Sequence, residues 1–149
     1  MGYTIEAFVA GPGAAAVLAE GLGAGPVALG QGLQLVPLLP AGSARPPSSF
    51  GPDLWQLTRE AEELAGDAAR HGSVAYVEAE YFGGVGEQHA VVWQDGGARL
   101  LASELPGAVN EALRALGAVR VASASTGVLE DEFDSVGLGR HRSTQDWTA

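Results

Sequence analysis

Between Ser73 and Gln94 the chain reads SVAYVEAEYFGGVGEQHAVVWQ. Val74, Tyr76, Glu78, Glu80 and Phe82 alternate with Ala75, Val77, Ala79 and Tyr81. A period of two is the mark of a strand, whose successive side chains point to opposite faces. Gly83-Gly84-Val85-Gly86 interrupts the alternation. Glycine accepts the positive φ that a type II′ turn demands at its first central residue. A two-residue turn on Gly84-Val85 therefore predicts a β-hairpin, and a four-residue loop over Gly83–Gly86 keeps the same register. That register sets Phe82 opposite Glu87, Glu80 opposite His89, Glu78 opposite Val91 and Tyr76 opposite Trp93. One surface then carries Tyr76, Glu78, Glu80, Phe82, Glu87, His89, Val91 and Trp93, with aromatics at its ends and charge in its middle. The other carries Ala75, Val77, Ala79, Tyr81, Gln88, Ala90 and Val92, mostly small and apolar, suited to packing beneath helices. A three-residue loop would move the pairing by one and destroy this division.

The remaining segments supply partners for that hairpin. Tyr3–Ala10 alternates like a strand and ends at Gly11-Pro12-Gly13, before a short alanine-rich helix over Ala14–Glu20. The Gly-Pro-Gly spacing matches no phosphate-binding loop and reads as a turn. Short strands are expected at Val27–Leu29 and Leu33–Leu39. Pro37 lacks an N–H, so the second should lie at a sheet edge or stop there. Residues 40–49 (PAGSARPPSS) read as a flexible loop. A main helix is predicted over 52–71, with Pro52 at its first position, Asp53 in its first turn and Gly72 as its stop. Leu54, Leu57, Ala61, Leu64, Ala65 and Ala68 form its apolar stripe. Glu60, Glu62, Glu63, Asp67 and Arg70 lie largely away from that stripe. Asp95-Gly96-Gly97 turns the chain into a third meander strand over Ala98–Ala102. A second main helix is predicted over 106–116, and a short strand over Val119–Ala122.

The expected fold class is α+β: a single domain over 1–149 whose antiparallel sheet is centred on the hairpin (73–94) and packed by helices 52–71 and 106–116. At 149 residues the chain is of single-domain size and long enough for a substantial core. Its 46% hydrophobic and 17% charged content is that of a globular chain.

The formal charge is −10, and every one of the eight basic residues is arginine. Nucleic acids and anionic membranes are poor partners for such a chain, since both select clustered positive charge. A basic protein partner or a cation is favoured instead. Cysteine is absent, which removes disulfides, thiolate metal sites and cysteine nucleophiles. No basic stretch precedes an apolar run at the N-terminus and no run reaches membrane-spanning length, so the expected location is cytoplasmic. No cofactor motif is present, and nothing in the composition excludes self-association.

Two places concentrate reactive side chains. On the hairpin, Glu78, Glu80, Glu87 and His89 share a surface. They read as a solvated polar face, as a recognition surface flanked by Tyr76, Phe82 and Trp93, or as a catalytic or metal-binding cluster. In the catalytic case Glu80 and His89 would divide the acid and base roles. No HExxH or GxSxG supports that case, so no catalytic or metal residue is assigned. The second place is Leu129–Ala149, which ends in the C-terminal tail, 137–149. LEDEFDSVG places Leu129, Phe133 and Val136 at helical spacing with Gly137 as the stop. Arg140, His141 and Arg142 then form the only positive cluster in the chain. They could pair with the neighbouring acids or hold a phosphate or carboxylate. Trp147 is expected to dock on the domain or on a partner.

The runs YVEAEYFGGVGEQ and DEFDSVGLGRHR, with Asp146-Trp147 near the end, resemble small uncharacterised proteins of GC-rich bacteria. The resemblance covers the second half of the chain and carries no activity with it. A compact acidic α+β domain without catalytic motifs is also similar in general character to bacterial immunity proteins, which work by binding. That likeness implies a non-enzymatic bacterial protein that recognises a basic protein partner through acidic and aromatic surfaces. The binding set would be Tyr76, Glu78, Glu80, Phe82, Glu87, His89, Trp93, Arg140, His141 and Arg142. The alternative is a small enzyme or a ligand- or metal-binding protein that uses the Glu/His cluster, joined by Arg-His-Arg.

Overall fold

The computed structural model describes residues 3–39, 46, 48–50, 54–82, 85–103 and 107–148, with backbone alone at 81, 82, 85, 102 and 103. The elements in chain order are β1 (Tyr3–Ala10), α1 (Pro12–Leu22), β2 (Val27–Ala28), β3 (Gln34–Pro37), α2 (Arg59–Ala68), β4 (Val74–Phe82), β5 (Val85–Gln94), β6 (Gly97–Ser103), α3 (Ala108–Ala115) and α4 (Glu132–Val136). The strands form one six-stranded antiparallel sheet in the order β2-β3-β1-β4-β5-β6. The chain is thus a single α+β domain.

Helices cover both sides of the sheet. On one face Phe8, Val74, Tyr76, Val91 and Trp93 pack under α1 and α2 through Leu18, Ala61, Ala65 and Ala68, with Leu57 from the loop before α2. The aromatics touch: Phe8 and Tyr76 have ring centroids 4.9 Å apart, and Phe8 and Trp93 6.2 Å. On the other face Ile5, Ala7, Ala75, Val77, Ala79, Ala90 and Val92 pack under α3, α4 and the C-terminal residues Leu138 and Trp147. The two alternating sets read from the hairpin are therefore the two floors of a helix–sheet–helix sandwich. Such burial on both sides stabilises by about 25 cal/mol per Å² of apolar surface removed from water.

The hairpin keeps its faces but slides along its length. Phe82 pairs with Val85, Glu80 with Glu87, Glu78 with His89 and Val74 with Trp93. This is a two-residue shift from the expected register, so the connection consists of Gly83 and Gly84, which lie outside the described residues. A shift of two preserves side-chain parity, so the same residues still share each surface. The expected Gly84-Val85 turn is corrected because Val85 is itself the first residue of the returning strand. At the next reversal Asp95 and Gly96 both have positive φ, 54° and 80°, as a type I′ turn requires.

Other boundaries move for identifiable reasons. The helix expected over 52–71 begins at Arg59, and a single 3₁₀ turn, Ala69–His71, closes it at Gly72. Pro52 and Asp53 lie outside the described residues. Residues 54–57 are not helical, because the amides of Trp55, Gln56 and Leu57 bond a side chain of the sheet, as described below. Thr58 is the N-cap and accepts from the Ala61 N–H at 3.1 Å. Leu54 and Leu57 are buried as the stripe requires, although they approach the sheet from a loop.

The helix expected over 106–116 runs from Ala108 to Ala115. Val119–Ala122 is not a strand; it contributes a lone bridge, Ala122 to Leu129. β3 stops at Pro37, and β2 reaches only Gln34 and Leu35 across from it. Of the expected 40–49 loop, residues 40–45 and 47 lie outside the described residues. Pro46 accepts from the Arg59 N–H, and Ser48 donates to the Leu57 carbonyl, which ties those two residues to the start of α2.

The tail is built into the domain. Beyond Pro37, where the Leu38 N–H still donates to the Glu6 carbonyl, no described strand lies beside the edge of β1, and residues 142–144 take that place. The Thr4 N–H donates to the Arg142 carbonyl at 2.9 Å, and the Glu6 N–H to Thr144 Oγ1 at 3.0 Å. Trp147 is buried in the core on the α3 face of the sheet, and its segment lies against β1 and β3. Among the described residues no helix is long and apolar enough to cross a membrane.

Candidate functional site

The hairpin surface that faces α1 and α2 divides along its length. Its Tyr76, Val91 and Trp93 end is core. Its other end is polar, because three strands bring Glu6, Glu78 and His89 abreast of one another. Thr4, Glu80 and Glu87 form the next rank toward the hairpin tip, where Glu80 and Glu87 are exposed.

Glu78 is fully buried, and its carboxylate is the centre of the arrangement. Oε2 accepts from the Trp55 N–H at 3.0 Å. Oε1 accepts from the Gln56 and Leu57 N–H groups at 2.9 and 3.1 Å and from the Tyr76 hydroxyl at 2.6 Å. Successive backbone N–H groups converging on one point form an anion-binding concavity, here filled by the protein's own side chain. Four donors offset much of the cost of burying the charge. Burial, the larger influence, pushes the Glu78 pKa up from the usual glutamate value, and the Tyr76 hydroxyl and the three amides pull it down. The Tyr76 phenol is held well above the ordinary tyrosine range by burial and by the adjacent Glu78 charge.

Sequence reasoning missed the residues that this anchor positions. Trp55 is held at its backbone by Glu78. Its indole Nε1–H donates to Glu6 Oε1 at 3.0 Å, and its ring stands edge-on to His89 with centroids 6.3 Å apart. Glu6 uses its second oxygen to accept from the Thr144 hydroxyl, joining this corner to the C-terminal segment. Trp55 nonetheless remains 43% exposed. The stretch LWQL reads as helix by spacing, and no local signal reveals that a glutamate more than twenty residues away holds it open.

The same level of the sheet carries a matching device on its other face. Gln88, beside Ala79 in the ladder, is buried, and its Oε1 accepts from the Val109 N–H at 3.0 Å in the first turn of α3. Glu78 and Gln88 thus read as a pair of buried polar pegs, each fixing the entry to one covering helix.

The expected site residues divide accordingly. Tyr76 and Trp93 are core. Phe82 lies in the ladder opposite Val85, and its side chain is outside the described set. Glu80 faces Glu87 across the ladder, and His89 faces Glu78. Arg140 donates to the Ala28 carbonyl at 3.2 Å, and its guanidinium lies 5.5 Å from the centre of the Trp147 ring, against which His141 stands edge-on at 4.7 Å. Arg140 and His141 thus meet a tryptophan buried in the opposite core. Arg142 is exposed, and its backbone carbonyl holds β1. The acidic block of the tail finds a cation on α3, where Arg114 pairs with Glu132 at 3.2 Å. Burial, with Asp131 and Glu130 nearby, raises the Asp134 pKa. Among the described residues, no group of three or more His, Asp or Glu side chains is placed to hold a metal ion.

Comparison with family models, with curated proteins and with solved structures returns no match.

Proposed function

We propose that this chain is a non-enzymatic binding protein whose partner is a basic protein, engaged through the face around Trp55. The observation that carries this reading is an exposed tryptophan held at three points: backbone, indole N–H and ring. Ordering a large side chain before contact lowers the entropic cost of association, and tryptophan is enriched among residues that dominate interfaces. Glu6, Glu80 and Glu87 share its face, and an acidic field steers a basic partner toward it. The overall charge of −10 acts in the same direction. The immunity-like form of the reading is the case in which that partner is a toxin.

The test is affinity capture on the full chain, with Trp55→Ala and Glu80→Gln/Glu87→Gln as parallel baits of verified fold. One basic protein should be retained stoichiometrically by the native chain, lost on Trp55→Ala, and released by salt more readily from the charge variant. Absence of a stoichiometric partner, or equal retention on Trp55→Ala, refutes the reading.

A further inference from the structure

We infer that the cleft between α1 and α2 is a second contact surface, which receives a basic side chain of the partner flanked by an aliphatic one. This rests on the reading of a basic partner and adds where, and by what chemistry, that partner is gripped. The cleft measures about 530 Å³. Leu22, Leu38, Leu39 and Leu64 give it an apolar surface, and Leu39 is 42% exposed there. Among the described residues that line it the charges are acidic, and Glu63 and Asp67 are the two on which the inference rests.

The C-cap of α1, Gly23, forms part of the wall, and no basic residue stands in the last turn of α1. A helix C-terminus carries partial negative charge, so backbone and side chains present the same sign to an occupant. An arginine or lysine suits such a cleft in two ways. Its methylene stem covers apolar surface while its head reaches the acids, and a neighbouring leucine-like side chain fills the remaining apolar space.

The cleft borders the loop that carries Trp55. Gln56 and Thr58 line it, and Trp55 precedes them in the same loop, which Glu78 fastens from below. One partner can therefore straddle that loop, with aromatic contact on one side and a buried cation on the other.

The experiment is a titration of the ¹⁵N-labelled full chain with acetyl-Leu-Arg-Leu-Arg-amide and, separately, with acetyl-Leu-Glu-Leu-Glu-amide, followed by amide chemical shifts. The arginine peptide should produce saturable shifts at Leu22, Gly23, Leu39, Leu64 and Asp67, and the glutamate peptide none. Glu63→Gln/Asp67→Asn should weaken the arginine response at least tenfold, while Trp55→Ala leaves the cleft response in place. Equal response to both peptides, no saturation at the cleft, or an unchanged response in the Glu63/Asp67 variant overturns the inference.

Shifts confined to Trp55 and His89 overturn it while leaving the Trp55 reading standing. Shifts confined to the cleft sustain it and count against that reading. Cleft shifts that follow protein concentration without peptide assign the cleft to a second copy and overturn it. A response that emerges only after Arg45→Ala assigns the cleft to the chain's own 40–45 segment, with the same consequence.

Discussion

Replacing Glu78 is expected to release the loop that carries Trp55. In Glu78→Ala three backbone N–H groups and a phenol lose their acceptor at once. A buried donor left unsatisfied costs about 1–3 kcal/mol. The four costs do not add in full, because Trp55 and Gln56 lie near the surface and the loop can swing toward water. Breaking a buried charged interaction by removing one partner costs roughly 3–5 kcal/mol, and that range is the expected loss, out of a typical total of about 5–15 kcal/mol.

Glu78→Gln keeps the shape and one oxygen for the Gln56, Leu57 and Tyr76 donors but turns an NH₂ toward the Trp55 N–H. Its expected cost is smaller, about 2–3 kcal/mol, from one lost bond and the lost charge on the others. Urea unfolding followed by circular dichroism measures both variants. Hydrogen exchange at the Trp55, Gln56 and Leu57 amides reports the loop directly, and these amides should lose protection more than those of β4.

The same carboxyl has a pH signature. Its native pKa is raised above the usual 4.5, mainly by burial. The folded chain therefore holds the proton more tightly than the unfolded chain. This contribution to stability is fully present below the unfolded value and is lost as pH rises through the folded one. Glu78→Gln should remove the Glu78 part of the slope and leave the part due to Asp134, whose pKa is also raised. If both variants unfold within about 1 kcal/mol of the native protein, with unchanged loop protection and an unchanged pH slope, the carboxylate does not anchor the loop and the reasoning fails.

Thr58→Ala removes the cap of α2 and should cost about 1 kcal/mol, read as a lower urea midpoint at unchanged slope. Gly137 has φ 89° and ends α4. Gly137→Ala should cost roughly 1–2 kcal/mol for a side chain in the left-handed region, and a Cβ there would also meet the Arg140 guanidinium at 3.2 Å. Trp147→Ala empties a core position and frees the segment that edges β1. A loss of about 3–5 kcal/mol is expected, with faster exchange at the Thr4 amide. Ultraviolet titration of the phenols should show Tyr76 ionising well above the ordinary tyrosine range. A Tyr76→Phe variant that loses amplitude within the ordinary tyrosine range, relative to the native chain, would contradict its burial against Glu78.

Alternation by itself determined which hairpin residues share a surface, because strand parity is local and survives a slide of two. Alternation likewise determined β1, and local glycines determined the turn at Asp95-Gly96, the stop at Gly72 of the 3₁₀ turn that follows α2, and the cap of α4 at Gly137. The tertiary structure decided what the faces are for. Nothing local to Glu78 announces that its carboxylate will be buried. That outcome required α1 and α2 to cover the sheet and the amides of Trp55, Gln56 and Leu57 to converge on it from a loop distant in sequence. The same long-range contact overrode the helical spacing of Leu54 and Leu57. Where β3 stops at Pro37, the open edge of β1 drew in the C-terminal segment, and Trp147 carried Arg140 and His141 to the opposite core. Propensity and periodicity act over a turn or two of chain. The Glu78 carboxylate and the open edge of β1 find their partners only once the whole chain is assembled.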